Sequence, residues 1–260
     1  MQQETLGVPP ALRWRPETVR GIPRRWRHAV AEFAAQAEHS DQELVGLLWN
    51  EYPGAPQIEV LHNSASTPEV CFEAAGSLAS GVVAVVHSHP RGCAWPSVSD
   101  QAQQIATGVA WIIAPRGAEP FGWGGLIPTD HLLQRPFRWG VTDCWGAVRD
   151  GLRSLYGVSV SSYPREWQFW REPEGALFEG RIRAEGFEVV SDDLAEACEG
   201  DVVLFRLHAP VYNHAALVVP GGQLYHHPSA SRPFDPTQPA RVEPKERWGG
   251  IPCGVCRRVS

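Results

Sequence analysis

Residues 81–87 (GVVAVVH) form an uninterrupted, β-branched apolar run. A run of this kind, lacking polar alternation, predicts a strand buried on both faces. It ends in His87-Ser88-His89-Pro90. Side chains at i and i+2 leave a strand on the same face, so His87 and His89 are placed to share one metal ion. Upstream, Pro23 opens a helical stretch with Trp26, Val30, Phe33 and Ala34 at helical spacing, closed by His39-Ser40-Asp41. Further strands are predicted at 44–49, 58–61, 70–72 and 109–114, with a short helix over 100–107. This alternation predicts one mixed α/β domain over residues 23–115, after an irregular, proline-containing arm at 1–22.

Gly and Pro then dominate (PRGAEPFGWGGLIPT), so residues 116–130 read as a linker or exposed loop. A second domain follows over 131–260. Its predicted elements are a helix over 144–156, with Val148, Leu152 and Leu155 on one face, and strands at 201–206, 214–219 and 223–226. Gly221-Gly222 joins the last two strands as a hairpin turn. Residues 228–247 read as Pro-rich and irregular, and 255–259 as a closing strand.

Each domain carries a hydrolytic constellation. In the first, the turn at Pro90-Arg91-Gly92 and Pro96 returns Asp100 to the two histidines. Two neutral imidazoles and one carboxylate would leave Zn2+ a net positive charge and an open fourth position. Glu43, at the start of the strand 44–49, is the candidate proton acceptor. Ser97 is a candidate donor to a developing oxyanion. In the second, Cys144 lies where a loop enters a helix, and the helix N-terminus is expected to favour a thiolate. His214 is the candidate base, and His226, twelve residues on across the Gly-Gly turn, the group that orients it. His227 is a rival for that role; strand alternation allows only one of the two inward, and the spacing favours His226.

His87-Ser88-His89-Pro90, Ser97, Asp100 and the segment Glu43–Leu48 together resemble the JAMM/MPN metalloproteases. The resemblance implies zinc held by His87, His89 and Asp100, Glu43 as general acid/base, and Ser97 assisting the tetrahedral intermediate. Residues 136–140 (PFRWG), Asp143-Cys144, 200–203 (GDVV), Asn213-His214-Ala215 and Leu224-Tyr225-His226 resemble the NlpC-type cell-wall peptidases. That likeness implies a papain-like fold and cleavage next to D-amino acids in peptidoglycan stem peptides. The sequence departs from that pattern at Trp145-Gly146, where Ser-Gly is common, and at Phe137, where a tyrosine is common. The fold class implied is α+β: a JAMM/MPN-like mixed α/β domain followed by a papain-like NlpC-type domain. This order of domains, with Asp143-Cys144-Trp145, Asn213–Ala216 and His226-His227-Pro228, resembles the phage tail-tip assembly proteins of the lambda K type. Other tail-tip proteins and peptidoglycan peptides are then the implied partners. The implied location is the virion tail tip, assembled in the host cytoplasm and acting at the host wall or periplasm.

The formal net charge of -6 argues against nucleic acid as a partner, even with Arg20, Arg24, Arg25 and Arg27 gathered near the N-terminus. The first thirty residues lack an apolar signal core, and no membrane span is expected. The six cysteines show no framework spacing, and synthesis in a reducing cytosol makes disulfides unexpected. Cys253 and Cys256 form a single CxxC, read as two strand-flanking thiols; Cys198 and Cys93 add no ligand set. Trp167, Phe169 and Trp170 read as core or as a substrate rim. Three functions fit: a tail-borne enzyme cutting peptidoglycan through Cys144, a mainly structural tail-tip component, and a cytosolic zinc peptidase acting on a phage or host protein.

Overall fold

The computed structural model describes residues 21–49, 54–73, 78–92, 95–127, 131–133, 135–171, 176–228 and 238–259. The arm at 1–22, but for its last two residues, and Cys93 lie outside them. The chain divides into two compact units, with the change between them at residues 130 and 131. Both are α+β. Among the described residues no helix is long and apolar enough to cross a membrane.

In the first unit, α1 (Arg27–Ala37) follows a short 3-10 turn at Arg24–Trp26. Trp26, Val30 and Phe33 are buried, as their spacing requires, and pack against a five-stranded sheet. Its strands are β1 (Val45–Trp49), β2 (Gln57–Leu61), β3 (Val82–His89), β4 (Ala110–Pro115) and β5 (Phe121–Trp123), with α2 (Val98–Thr107) between β3 and β4. The order is β2-β1-β3-β4-β5. Only β3 and β4 run parallel, and they sit inside the sheet, where their apolar runs are covered.

Two expectations for this unit are corrected. Residues 70–72 are not a strand: Val70 and Cys71 both donate to the Thr67 carbonyl in a turn, and Val70 is exposed. Residues 116–130 are not simply a linker, because β5 pairs antiparallel with β4, Trp111 facing Trp123 and Ile113 facing Phe121. Gly122 and Gly125 there serve close packing rather than slackness. A Cβ on Gly122 would lie 2.4 Å from the Ile127 side chain, and one on Gly125 2.2 Å from the Ala110 amide nitrogen.

In the second unit, α3 (Cys144–Tyr156) and α4 (Leu177–Ala184) precede an antiparallel six-stranded sheet. Its strands are β6 (Phe187–Ser191), β7 (Val202–Phe205), β8 (His214–Val219), β9 (Gln223–His226), β10 (Arg241–Pro244) and β11 (Cys253–Arg258), in the order β10-β9-β8-β7-β11-β6. β10 corrects the reading of 228–247 as wholly irregular. As an edge strand it tolerates Pro244, which has no amide to donate. Strand alternation splits the core in two. Ala215, Leu217 and Tyr225 pack with α3 on one face. Ala216, Val218, Leu224 and Phe205 pack on the other. Cys253 and Cys256 fall on these opposite faces, which excludes a shared metal or a disulfide between them.

Candidate active sites

The first site is built at the end of β3 and the start of α2. Ser97 is the N-cap of α2, and its hydroxyl accepts from the Asp100 amide while Asp100 Oδ2 accepts from the Ser97 amide, a capping box. The Ser97 hydroxyl also donates to Asp100 Oδ2 at 2.8 Å, so in this structure it is turned to the carboxylate. Asp100 is thereby aimed at β3. His87 Nε2 lies 3.4 Å from its Oδ1, His89 Nε2 3.5 Å from its Oδ2, and the two Nε2 atoms are 3.1 Å apart. All three donor atoms lie within 4.8 Å of one another, and all three residues are buried.

The charge states suit a metal. Burial lowers the basicity of His87, opposed by Asp100 beside it. Burial alone would raise Asp100, but the charge of His87 and hydrogen bonds from His87, His89 and Ser97 hold it well below the usual carboxylate range. His87 Nδ1 has no hydrogen-bond partner among the described residues. Its ring packs against Phe72 and Trp111, with centroids at 5.1 and 5.5 Å. Glu43 precedes β1, which is tied to β3 here: the Leu44 amide donates to Ser88 Oγ and the Ser88 amide to the Leu44 carbonyl. Burial pushes the Glu43 carboxyl up to about 7, against the lowering effect of His89.

The second site is centred on the start of α3. Asp143 is its N-cap, accepting at Oδ1 from the Gly146 amide and at Oδ2 from the Gly140 amide. Arg165 grips the same carboxylate with both prongs, Nη2 to Oδ1 at 2.6 Å and Nε to Oδ2 at 2.8 Å, and donates through Nη1 to the Tyr163 carbonyl. This fully buried pair fixes the turn that carries Cys144.

On the neighbouring strands, His214 and His226 stand side by side, Nε2 to Nδ1 at 3.1 Å with rings at 87°. His227 instead turns to the Arg135 carbonyl, at 3.0 Å, and to the Phe137 ring. Cys144 packs in the same buried cluster as Ala215 of β8, the residue that follows His214. No hydrogen bond joins Cys144 to His214 among the described residues. The His214 ring leaves β8 on the Phe205 and Trp248 side, whereas Cys144 packs with Ala215.

The expected thiolate is corrected. Burial, and then the Asp143 charge, push the Cys144 thiol up to about 12, outweighing the Ala215 and Trp145 amides and Arg165. Burial and the neighbouring His226 and His227 hold His214 well below its ordinary value. The resting pair is therefore a neutral thiol and a neutral imidazole. Iodoacetamide at pH 8 is expected to label Cys144 at least ~100-fold more slowly than the exposed Cys71 and Cys198. Peptide mass spectrometry showing equal rates would mean that the thiol is already ionised and open.

Three contributors escaped the sequence reading: Arg165, Glu243 and Trp248. Arg165 lies 22 residues from Asp143, and no spacing rule links them. Glu243 sits in the stretch 228–247 read as irregular, and Trp248 directly follows it. Trp167, Phe169 and Trp170 gather around Trp139 as a half-buried aromatic cluster.

Residues 118–241 match the NlpC/P60 family. The tail tip assembly protein K of Escherichia phage lambda is 36% identical over 147 residues, covering 56% of this chain and 69% of that protein. The protein of the same description from Escherichia phage N15 is 35% identical over 150 residues, covering 56% of this chain and 59% of that one. A crystal structure of the NlpC/p60 domain of the peptidoglycan hydrolase SagA aligns at 22% identity and a TM-score of 0.30, covering 48% of this chain and 88% of that domain. With over two thirds of the lambda protein matched, the chain belongs to the tail tip assembly protein K family and carries an NlpC/P60 domain.

Proposed function

We propose that this chain is a phage tail-tip assembly protein whose second unit cleaves peptidoglycan stem peptides. The observation that carries this reading is Cys144 at the start of a helix that packs on β8, the strand that bears one member of a hydrogen-bonded His214–His226 pair. The thiol proton passes to His214 as Cys144 Sγ attacks the peptide carbonyl. The carbonyl–nitrogen bond then breaks, the leaving amine takes a proton from His214, and a thioester remains. Water, deprotonated by His214, splits the thioester and returns the free thiol. No hydrogen bond joins the neutral resting pair among the described residues, so the proton transfer requires Cys144 and His214 to come into hydrogen-bond reach in the substrate complex, where such contacts often tighten. Muropeptide chromatography tests the reading: new stem-peptide products support it, and an unchanged profile with folded protein refutes it.

In the first unit His87, His89 and Asp100 would hold zinc, which would supply Lewis-acid chemistry there, and the reading is of a JAMM-type (iso)peptidase. Glu43, near neutrality at its carboxyl, would move the proton, and Ser97 would hold Asp100 and assist the oxyanion. About one zinc per chain is expected, and the His87→Ala, His89→Ala double variant is expected to lose it. Metal analysis finding equal zinc in the two proteins would rule out these ligands. Other tail-tip proteins are the proposed binding partners, and the virion tail the proposed location. One observation favours a second reading, a mainly structural role: Cys144 and His214 are only 3% and 1% exposed. On that reading the thiol site stays closed in the assembled tail.

A further inference from the structure

We infer that Glu243 is a fourth member of the thiol site, a positioning residue that fixes the tautomers of His226 and His214, with Trp248 holding both Glu243 and the His214 ring. The inference rests on the peptidase reading of Cys144, His214 and His226. Glu243 and Trp248 lie past residue 241, where the family match ends.

The geometry begins with β10. It pairs with β9 so that Arg241 faces His226 and Glu243 faces Leu224. Residues two apart share a face, so Glu243 projects on the side of His226 and Leu224. Its carboxylate is nearly buried and its oxygens are divided. Oε1 is ion-paired with Arg241 Nε. Oε2 accepts from Trp248 Nε1 at 3.2 Å and lies 3.9 Å from His226 Nε2. That last separation is an ion-pair distance, longer than a hydrogen bond. The Trp248 ring stacks on His214 at 5.2 Å and 10°, and meets His226 edge-on at 4.9 Å.

The proton inventory shows why this matters. For His214 to take a proton at Nδ1, that atom must be bare and Nε2 must carry the hydrogen. His214 Nε2–H then donates to His226 Nδ1, and the His226 proton must sit on Nε2. That nitrogen is buried and has no hydrogen-bond partner among the described residues. A buried N–H without an acceptor is costly, and Glu243 Oε2 is the carboxylate beside it. When His214 becomes an imidazolium, the same carboxylate stabilises the spreading charge, as an acidic residue does behind a catalytic histidine. The charged and titratable groups facing the imidazole pair are Glu243, Arg241 and His227. Arg241 opposes the effect, but it acts on His226 less strongly than Glu243 does.

Glu243→Gln removes the charge and keeps the shape. Its kcat on stem peptides is expected to fall roughly 10²-fold with KM within about twofold. Without the carboxylate the imidazoles are harder to protonate, so the acid limb of kcat/KM moves to lower pH. Trp248→Phe keeps the stack but loses the indole donor, and is expected to show the same changes, smaller. Wild-type kcat and an unmoved acid limb in a folded Glu243→Gln protein would overturn the inference. If that variant does not fold, nitrogen-15 NMR of the wild-type histidines decides: both Nε2–H is the expected result, and Nδ1–H on His226 overturns it. The NMR result does not depend on turnover. An inactive wild type would sink the peptidase reading and leave the tautomers to judge Glu243 alone.

Discussion

Cys144→Ala is expected to lower stem-peptide cleavage by about 10⁴-fold or more, the scale on which removing a nucleophile from a coupled triad acts. The loss should appear in kcat, because the sulfur forms a bond only as the reaction proceeds. The fold should tolerate the change. Cys144 is buried among apolar side chains, and its helix is capped by Asp143 rather than by the thiol. Chromatography of the digests and thermal unfolding of the two proteins make the comparison. Equal cleavage by wild type and variant, both folded, would remove Cys144 from the chemistry.

Arg165→Met is expected to destabilise the second unit by about 3–5 kcal/mol, the usual cost of leaving one charge of a buried pair unmatched. Among the described residues, Asp143 would keep the Gly140 and Gly146 amides as its partners. The effect has a pH signature. Burial opposes ionisation of Asp143, but Arg165 outweighs it and holds the carboxyl below its ordinary 3.8. A depressed acid stabilises the fold above its unfolded value and loses that contribution as pH falls through the folded one. The gap between wild type and variant should therefore be full at pH 7 and narrow below about pH 4. Urea titrations at the two pH values measure it. Coincident midpoints at pH 7 would mean that the pair contributes nothing to stability.

Much of this was legible because it obeys short-range rules. The run at 81–87 announced β3, and period-two alternation placed His87 and His89 on one face. Ser97 and Asp100 stand three apart, the spacing of a capping box. The hairpin between His214 and His226 followed from Gly221-Gly222. What failed depended on tertiary contact. Residues 70–72 carry apolar side chains, yet a turn at Thr67 takes their amides. The helix terminus predicted a thiolate at Cys144, but burial and Asp143 outweigh it. Arg165 and Glu243 are polar residues far along the chain from Asp143 and His226, and only folding brings them together.

The short strand β5 bears on how this protein should be handled in the laboratory. A fragment of the first unit ending at residue 115 would strip β4 of a neighbour and leave its backbone groups bare, an invitation to pair with other copies. It would also lose Phe121, Trp123 and Ile127, all buried against the first unit. A second fragment begun at residue 118, where the family match starts, would carry those same apolar residues as an unpacked leader. Dissection after residue 130 gives each piece its own strands, and clean expression of the two halves depends on choosing that cut.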